Sequence, residues 1–230
     1  MENLEQIRSA EARSHAEAYT NHILFEPGSW MAKPVKTVLD LIDTMQGSEG
    51  LRVLELGCGV GRNCIPVAQM LNAQVLCVDI LPMAIDLLCK NAEKYGVSDK
   101  IQGVVSGIDA FSITENSFDL ILAVSALEHM DSPKNFTSKL EEIASGLRPG
   151  GISCLIINSG IKEQDSETRE PLPAQFEINL PTQELQSKLH HIFGGMQIMK
   201  EKVVHQEYDI PRENGISHLS TDVVTYVIRK

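Results

Sequence analysis

The chain has 230 residues, of which 43% are hydrophobic, 22% are charged and 5% are aromatic. This length and composition are typical of one globular domain with a substantial core, and they exclude disordered and fibrous proteins. The formal net charge of −11 opposes binding to nucleic acid, because lysine and arginine side chains drive contacts with phosphate. We therefore expect no nucleic-acid partner.

The N-terminal residues lack the apolar segment of a signal peptide, and no apolar run approaches the roughly 20 residues needed to cross a bilayer. The five cysteines form no CxxC pair, and most lie inside apolar runs, as expected for reduced thiols in a core. We expect a cytoplasmic protein without a membrane partner. Both a monomer and a homodimer are compatible with the sequence.

Residues 1–46 are predicted to form a helical cap segment, with one helix over 34–45, and residues 47–230 a single compact domain. From residue 51 onward, apolar runs of strand length alternate with stretches of helical periodicity, which indicates β–α–β units. The fold class is therefore α/β, with a doubly wound, mostly parallel seven-stranded sheet and an antiparallel last strand. The predicted strands are 51–56, 74–80, 101–107, 118–125, 152–158, 197–208 and 222–230.

A polar stretch that contains prolines follows the fifth strand, over residues 159–181. Connections of this length without regular structure are uncommon in compact domains and are often functional. We predict a loop or lid that covers a substrate.

The segment LELGCGVGRN places Gly57, Gly59 and Gly61 between a predicted strand and a predicted helix. Glycine at such a turn lets the backbone approach a nucleotide-like ligand closely, because no Cβ intervenes. Asp79 ends the next strand, where an acid can accept two hydrogen bonds from a ribose diol. A nicotinamide enzyme is the competing interpretation, but its GxGxxG pattern requires glycine at the position of Arg62.

The segments ELGCGVG, VDI, IDAF and LRPGG together resemble the class I S-adenosylmethionine-dependent methyltransferase superfamily, over about residues 51–158. The resemblance implies S-adenosyl-L-methionine as cofactor, and its sulfonium suits an acidic protein. It implies that the turn lies against the methionine and ribose, with Glu55 near the methionine amino group and Asp79 on the ribose. The remaining residues that it assigns to the cofactor are Cys58 in the turn, Ile80 and Ile108 beside the adenine, Asp109 at the adenine amino group, and Ser125. For Asp109 a simple turn residue is the alternative.

The segment SALEHMDSP, residues 125–133, resembles the stretch after the fourth strand in superfamily members that act on small molecules. By this resemblance it faces the transferable methyl group, and His129 is a candidate catalytic residue. A structural histidine is the alternative.

The C-terminal part resembles the tellurite-resistance methyltransferases, through QFEINLPTQEL, a strand that carries His205, an ENG turn and TYVIRK. This resemblance makes His205 a second catalytic candidate at the substrate end of the pocket. That family typically has arginine after the histidine, whereas this chain has Gln206.

The seven histidines form no HxxxH or HExxH pair, so we predict no metal site. Trp30 and Arg62 are candidate substrate-binding residues, although Trp30 can also serve only to pack the N-terminal segment. The sequence thus predicts methyl transfer to a small molecule or oxyanion of the tellurite or selenite type. The alternative is a non-catalytic protein that binds S-adenosylmethionine as a sensor or partner subunit.

Overall fold

The computed structural model describes residues 2–174, 176–212 and 215–230. In these residues two α-helices precede the first strand, four more lie between later strands, and the last two strands form a long hairpin. The helices are α1 (Glu2–Asn21), α2 (Lys36–Met45), α3 (Cys64–Leu71), α4 (Pro82–Lys94), α5 (Pro133–Gly146) and α6 (Thr182–Ile192). The strands are β1 (Arg52–Leu56), β2 (Gln74–Asp79), β3 (Ile101–Val105), β4 (Phe118–Val124), β5 (Leu147–Asp165), β6 (Pro171–Leu172), β7 (Gln197–Arg212) and β8 (Gly215–Arg229).

The sheet follows the order β3-β2-β1-β4-β5-β8-β7, and the two-residue strand β6 pairs with β5 outside this path. Strands β1 to β5 pair in parallel along the path, whereas β8 runs antiparallel to both β5 and β7. The predicted doubly wound α/β fold with an antiparallel last strand is therefore confirmed. Strand β6 is an addition that the sequence did not predict.

Apolar residues alternate between the two faces of the central strands, as the twofold periodicity of a strand requires. Leu120 and Leu122 of β4 pack with α2, α3 and α4, whereas Ile121 and Ala123 pack with α5 and α6. Both faces are covered by helices, so β4 reads as a continuous apolar run. The two cores hold the carboxyl ends of the parallel strands at one edge of the sheet.

Strand register decides which residues meet at that edge. Leu56 at the end of β1 pairs with Val78 of β2 and with Ala123 of β4. The residues that follow these strands therefore emerge side by side, as expected for a ligand site in an open α/β sheet.

The prediction of a loop from residue 159 was wrong for residues 159–165, because β5 continues to Asp165. The apolar alternation is interrupted by a register shift between Ser159 and Lys162, which hides the strand in the sequence. Beyond the shift, the Glu163 carboxylate accepts two hydrogen bonds from Arg212, at 2.8 and 3.0 Å. Strand pairing with β8 and this ion pair stabilise a polar strand.

The N-terminal segment is helical, with α1, a 3₁₀ turn over Trp30–Ala32 and α2. Helix α2 begins at Lys36, two residues later than predicted. The expected ENG turn includes Glu213 and Asn214, which lie outside the described residues. Among the helices of the described chain, none has the length and apolarity to cross a membrane.

Helix α5 offers a test of the core on the face that α6 also covers. Leu140 is fully buried there, whereas Ser138 on the same helix is exposed. We expect Leu140→Ala to lower the free energy of unfolding by about 2–5 kcal/mol, because it removes buried methyl groups and leaves a cavity. Ser138→Ala is the matched control and should change it by less than about 0.5 kcal/mol in urea denaturation. Equal effects of the two changes would contradict the packing described here.

Candidate active site

The glycine turn after β1 has a backbone that other residues rarely adopt. Gly57, Gly59 and Gly61 have φ angles of +71°, +52° and +101°. A Cβ on Gly57 would overlap the side chain of Ala126, which lies beyond the end of β4. The Gly57 N–H donates to the carbonyl of Val78 at 2.8 Å. Glycine is therefore required both by the φ angles and by the close approach of two strand ends.

Asp79, at the end of β2, is joined to this turn. Its Oδ2 accepts a hydrogen bond from the Gly59 N–H at 2.8 Å, and its Oδ1 accepts one from the Leu81 N–H at 3.0 Å. Burial raises the pKa of Asp79, although these two hydrogen bonds oppose the shift. Each carboxylate oxygen keeps a second lone pair, so Asp79 can still accept hydrogen bonds from a diol.

Glu55 lies inside the protein, under the turn, with 1% of its surface exposed. Its Oε1 accepts a hydrogen bond from Asn63 at 3.0 Å, whereas its Oε2 is buried without a partner among the described residues. Burial raises the pKa of Glu55 to about 7, against the hydrogen bond from Asn63. A buried acceptor without a partner favours a nearby cation or donor.

The end of β3 supplies an apolar and acidic corner. Ile80, after β2, is 51% exposed, and its Cδ1 lies 3.7 Å from the position of a Cβ on Gly107. Ile108 packs at the edge of the core and precedes Asp109. The Asp109 carboxylate accepts a hydrogen bond from Arg8 of α1 at 3.0 Å. These residues offer an apolar surface beside a carboxylate acceptor, which suits an aromatic ring with an amino group.

His129 lies in a 3₁₀ turn after β4, between carboxylates from two distant segments. Its Nδ1 lies 2.8 Å from Glu11 of α1 and 3.0 Å from Glu177. Burial lowers the pKa of His129, but the hydrogen bonds to Glu11 and Glu177 outweigh it and raise the pKa to about 10. Phe176 stacks on the imidazole with ring centroids 5.2 Å apart.

Glu11, His129 and Glu177 bring three potential metal ligands within 4.8 Å of one another. A metal ion at Nδ1 of His129 would have to replace the proton that this nitrogen shares with both carboxylates. Metal binding would therefore break the ion pairs already present. Because the imidazolium satisfies both carboxylates, we interpret the cluster as an ion triad. The expectation of no metal site stays a prediction.

Other predicted residues lie around the same strand ends. Ser125 follows β4 with a φ of +48°, and its N–H donates to Ile156. Cys58 is buried in the turn. The guanidinium of Arg62 lies 5.3 Å from the centre of the Trp30 ring, and Trp30 is 48% exposed.

His205 lies in a different environment. It is on β7, and its imidazole pairs with Asp222 of β8 at 2.9 Å and with Glu207 at 3.2 Å. These hydrogen bonds raise the pKa of His205, whose side chain is 57% exposed. The contacts of His205 therefore join it to the hairpin, whereas those of His129 join it to α1 and the segment before α6.

Three residues that contact the predicted ones were not predicted from the sequence, namely Arg8, Glu11 and Glu177. The spacing of Arg8, Glu11, His15 and Tyr19 places them on one face of a helix. This spacing was visible in the sequence, but the partners of that face were not.

The strand order, the glycine turn after β1, the acid after β2 and the acid after β3 are the features in which this chain resembles class I methyltransferases. The cofactor of this class is S-adenosyl-L-methionine. The residues fit it, because Glu55 offers an unpartnered buried oxygen for a cationic group and Gly57 leaves no room for a side chain.

Residues 53–151 match the family model described as a methyltransferase domain. The ubiquinone biosynthesis O-methyltransferase of Methylocella silvestris is 36% identical over 104 residues, which cover 45% of this chain and 38% of that protein. The tRNA 5-carboxymethoxyuridine methyltransferase of Escherichia coli K12 is 36% identical over 119 residues, covering 51% of this chain and 44% of that protein. The chain thus spans less than half the length of these curated relatives.

The fold also resembles a solved structure over most of the chain. TehB from Haemophilus influenzae superposes with a TM-score of 0.63 and 20% identity, covering 85% of this chain and 62% of that one. At this identity the similarity concerns the fold alone.

The buried Glu55 predicts a specific dependence of stability on pH. Its pKa is raised to about 7 in the folded state from an ordinary 4.5, so the folded state binds more protons between these values. The contribution of Glu55 to stability is thus greatest below about pH 4.5 and is lost as the pH rises through 7. We expect Glu55→Gln to be more stable than the wild type above pH 7, by on the order of 2–3 kcal/mol.

Urea denaturation at pH 5, 6, 7 and 8 checks this, with exposed Glu141→Gln as the control. A difference between Glu55→Gln and the wild type that stays constant over this range would show that Glu55 titrates normally.

Proposed function

We propose that the protein transfers the methyl group of S-adenosyl-L-methionine to a small-molecule acceptor. The observation that carries this proposal is the hydrogen-bonded unit of the glycine turn and Asp79, which lies within the matched methyltransferase domain. A chain that lacked the glycine turn or Asp79 would favour the alternative of a non-catalytic binding protein, but this chain has both.

The contacts at the strand ends support the following placement of the cofactor. Asp79 would hold the ribose hydroxyls, and the turn with Cys58 would lie against the ribose and methionine. Glu55 would neutralise the methionine amino group, because its free oxygen is buried nearby. The adenine would lie at the corner of Ile80, Ile108 and Asp109, and Ser125 would line the site from the end of β4.

A small acceptor is favoured over nucleic acid by charge. The chain carries 31 acidic and 20 basic residues, so its net charge of −11 repels a phosphate backbone. One relative by name modifies tRNA and another acts in ubiquinone biosynthesis, so the relatives do not share one acceptor. Tellurite or selenite is one candidate oxyanion acceptor within this proposal.

The chemical demand on the acceptor side is small. The methyl group is already activated by the sulfonium, so the protein aligns the nucleophile with it and excludes water. His129 follows the strand beside the glycine turn, and with a pKa of about 10 it is protonated at neutral pH. In this arrangement His129 would orient an acceptor as a hydrogen-bond donor, and it would act as a base only after losing a carboxylate partner.

Trp30 and Arg62 are proposed to line the acceptor side, because the guanidinium and the ring stack there with part of the ring exposed. His205 is proposed as a second acceptor contact, carried by the β7–β8 hairpin. Its pairing with Asp222 fixes the orientation of the ring.

Cofactor binding tests the proposed function directly. We expect S-adenosylmethionine and S-adenosylhomocysteine to bind in the micromolar range in calorimetry and to raise the melting temperature, since a ligand of the folded state stabilises it. Asp79→Ala should weaken binding by about 1.5–3 kcal/mol, because it removes hydrogen bonds to a charged group. The control is Asp86→Ala, an exposed acid on α4. No binding to the wild type would contradict the proposal, as would tighter binding of NADH.

Turnover measurements distinguish the roles of His129 and His205. Acceptors are first found by screening tellurite, selenite, thiols, phenols and amines with labelled cofactor. We expect His129→Gln and His205→Ala each to lower turnover, by up to about 10²-fold, with the affinity for S-adenosylhomocysteine nearly unchanged in His205→Ala. Full activity of His205→Ala from about pH 5.5 to 8.5, around the ordinary histidine pKa, would show that His205 is structural.

A further inference from the structure

One face of helix α1 lies against residues assigned to the cofactor and the acceptor. Arg8, Glu11, His15 and Tyr19 follow one another at steps of three, four and four, so they share that face. We call these four residues the docking face. Three of them contact residues that are far away in the sequence, at separate positions of the site.

Arg8 occupies the acceptor assigned to the adenine amino group. Its Nη2 donates to Oδ2 of Asp109 at 3.0 Å, and its Nε donates to Glu177 at 3.4 Å. The backbone N–H of Asp131 approaches the other Asp109 oxygen at 3.4 Å. The guanidinium therefore takes the place at Asp109 that a donor on the adenine would use.

Tyr19 covers the glycine turn itself. Its hydroxyl lies 2.9 Å from the position that a Cβ on Gly59 would have, and its side chain is buried. Burial and the neighbouring Asp79 carboxylate raise the pKa of Tyr19. The phenol thus lies against the backbone and the acid that are assigned to the ribose.

Within residues 7–21, Tyr19 is the only buried residue of α1. Arg8 and Glu11 make ion pairs that join this part of the helix to distant segments. The side chains of Arg8 and Glu11 are 33% and 25% exposed, whereas their partner groups Glu177 and His129 are more buried, and salt weakens ion pairs that water reaches. A ligand that supplies its own donor to Asp109 can therefore compete with Arg8 for that carboxylate.

The segment after α1 is anchored independently. Leu24 and Met31 are buried, and the Tyr95 hydroxyl donates to the carbonyl of Leu24 at 3.1 Å. A change of backbone angles around His22 and Ile23 would release α1 without disturbing this anchor. The geometry therefore allows α1 to move as one body.

We propose that α1 is a gate that docks in the cofactor site, so that S-adenosylmethionine and the docking face compete for Asp109 and for the surface of the glycine turn. This proposal rests on the cofactor placement given under the proposed function. The cofactor would bind only the form in which α1 is undocked. Its apparent dissociation constant would therefore equal the intrinsic one divided by the fraction of undocked protein.

Trp30 provides a direct signal of docking, because it is the only tryptophan in the chain. Its ring lies 6.1 Å from that of His15 and 6.2 Å from that of Tyr19. Undocking of α1 would remove both neighbours and change the Trp30 fluorescence. The experiment follows this fluorescence in stopped flow while S-adenosylhomocysteine is added to the full-length protein.

The test variant is Arg8→Gln combined with Glu11→Gln, and the control is Glu17→Gln, an exposed residue on the same helix. Without ligand, the double variant should already show the fluorescence that the wild type reaches with ligand. Its apparent affinity for S-adenosylhomocysteine should increase by about three- to tenfold, through faster association. Raising the salt concentration should accelerate association in the wild type and have no such effect in the double variant.

Weaker binding by the double variant would overturn the gate, since it would show that α1 clamps the bound cofactor, while the proposed function would stand. Unchanged affinity and fluorescence would overturn the gate in the same way. Absence of binding in both the wild type and the double variant would overturn the cofactor placement and the gate together. Binding by the double variant alone would support both.

Discussion

The hydrogen bond from the Gly59 N–H to the Asp79 carboxylate is the contact on which the site depends. It joins the ends of β1 and β2 across 20 residues of sequence. The backbone carbonyl of Asp79 also accepts a hydrogen bond from Ser106, after β3. Asp79 therefore fixes three neighbouring strand ends, and the parallel register brings them to one edge. The sheet supplies the positions, and the acid fixes the conformation of the glycine turn.

The site concentrates carboxylates whose charge must be balanced. Burial raises the pKa of Glu55, Asp79 and Glu128, which shows that each costs free energy when ionised. In the structure, Arg8 of α1 and the protonated His129 of the turn after β4 supply positive charge. A cofactor with an ammonium and a sulfonium group would supply charge of the same sign. Because the carboxylates of the site need positive charge nearby, the same site can accommodate either a basic residue of α1 or the proposed ligand.

The sequence predicted the parts of the fold that depend on local patterns. The strands near Leu54 and Ile121 are apolar runs between turn signals, and they lie within one or two residues of the predicted bounds. Residues 159–165 were missed, since the register shift and the Glu163–Arg212 pair depend on tertiary contacts. For the same reason the glycine turn was recognisable, whereas the approach of Glu11 and Glu177 to His129 was not.

Some residues of the site lie within the part of the chain that matches the methyltransferase domain, and others lie outside it. The glycine turn, Asp79 and Asp109 all lie within residues 53–151, the part that matches the methyltransferase domain. Glu11 and Glu177, which hold His129, lie outside it on α1 and before α6. Glu177 is positioned by its neighbour Ile178, whose N–H donates to the carbonyl of Glu128 at 2.9 Å. The residues proposed for the cofactor therefore lie within the matched part, whereas the two carboxylates that hold His129 on the proposed acceptor side lie outside it, so acceptor specificity has to be sought outside residues 53–151.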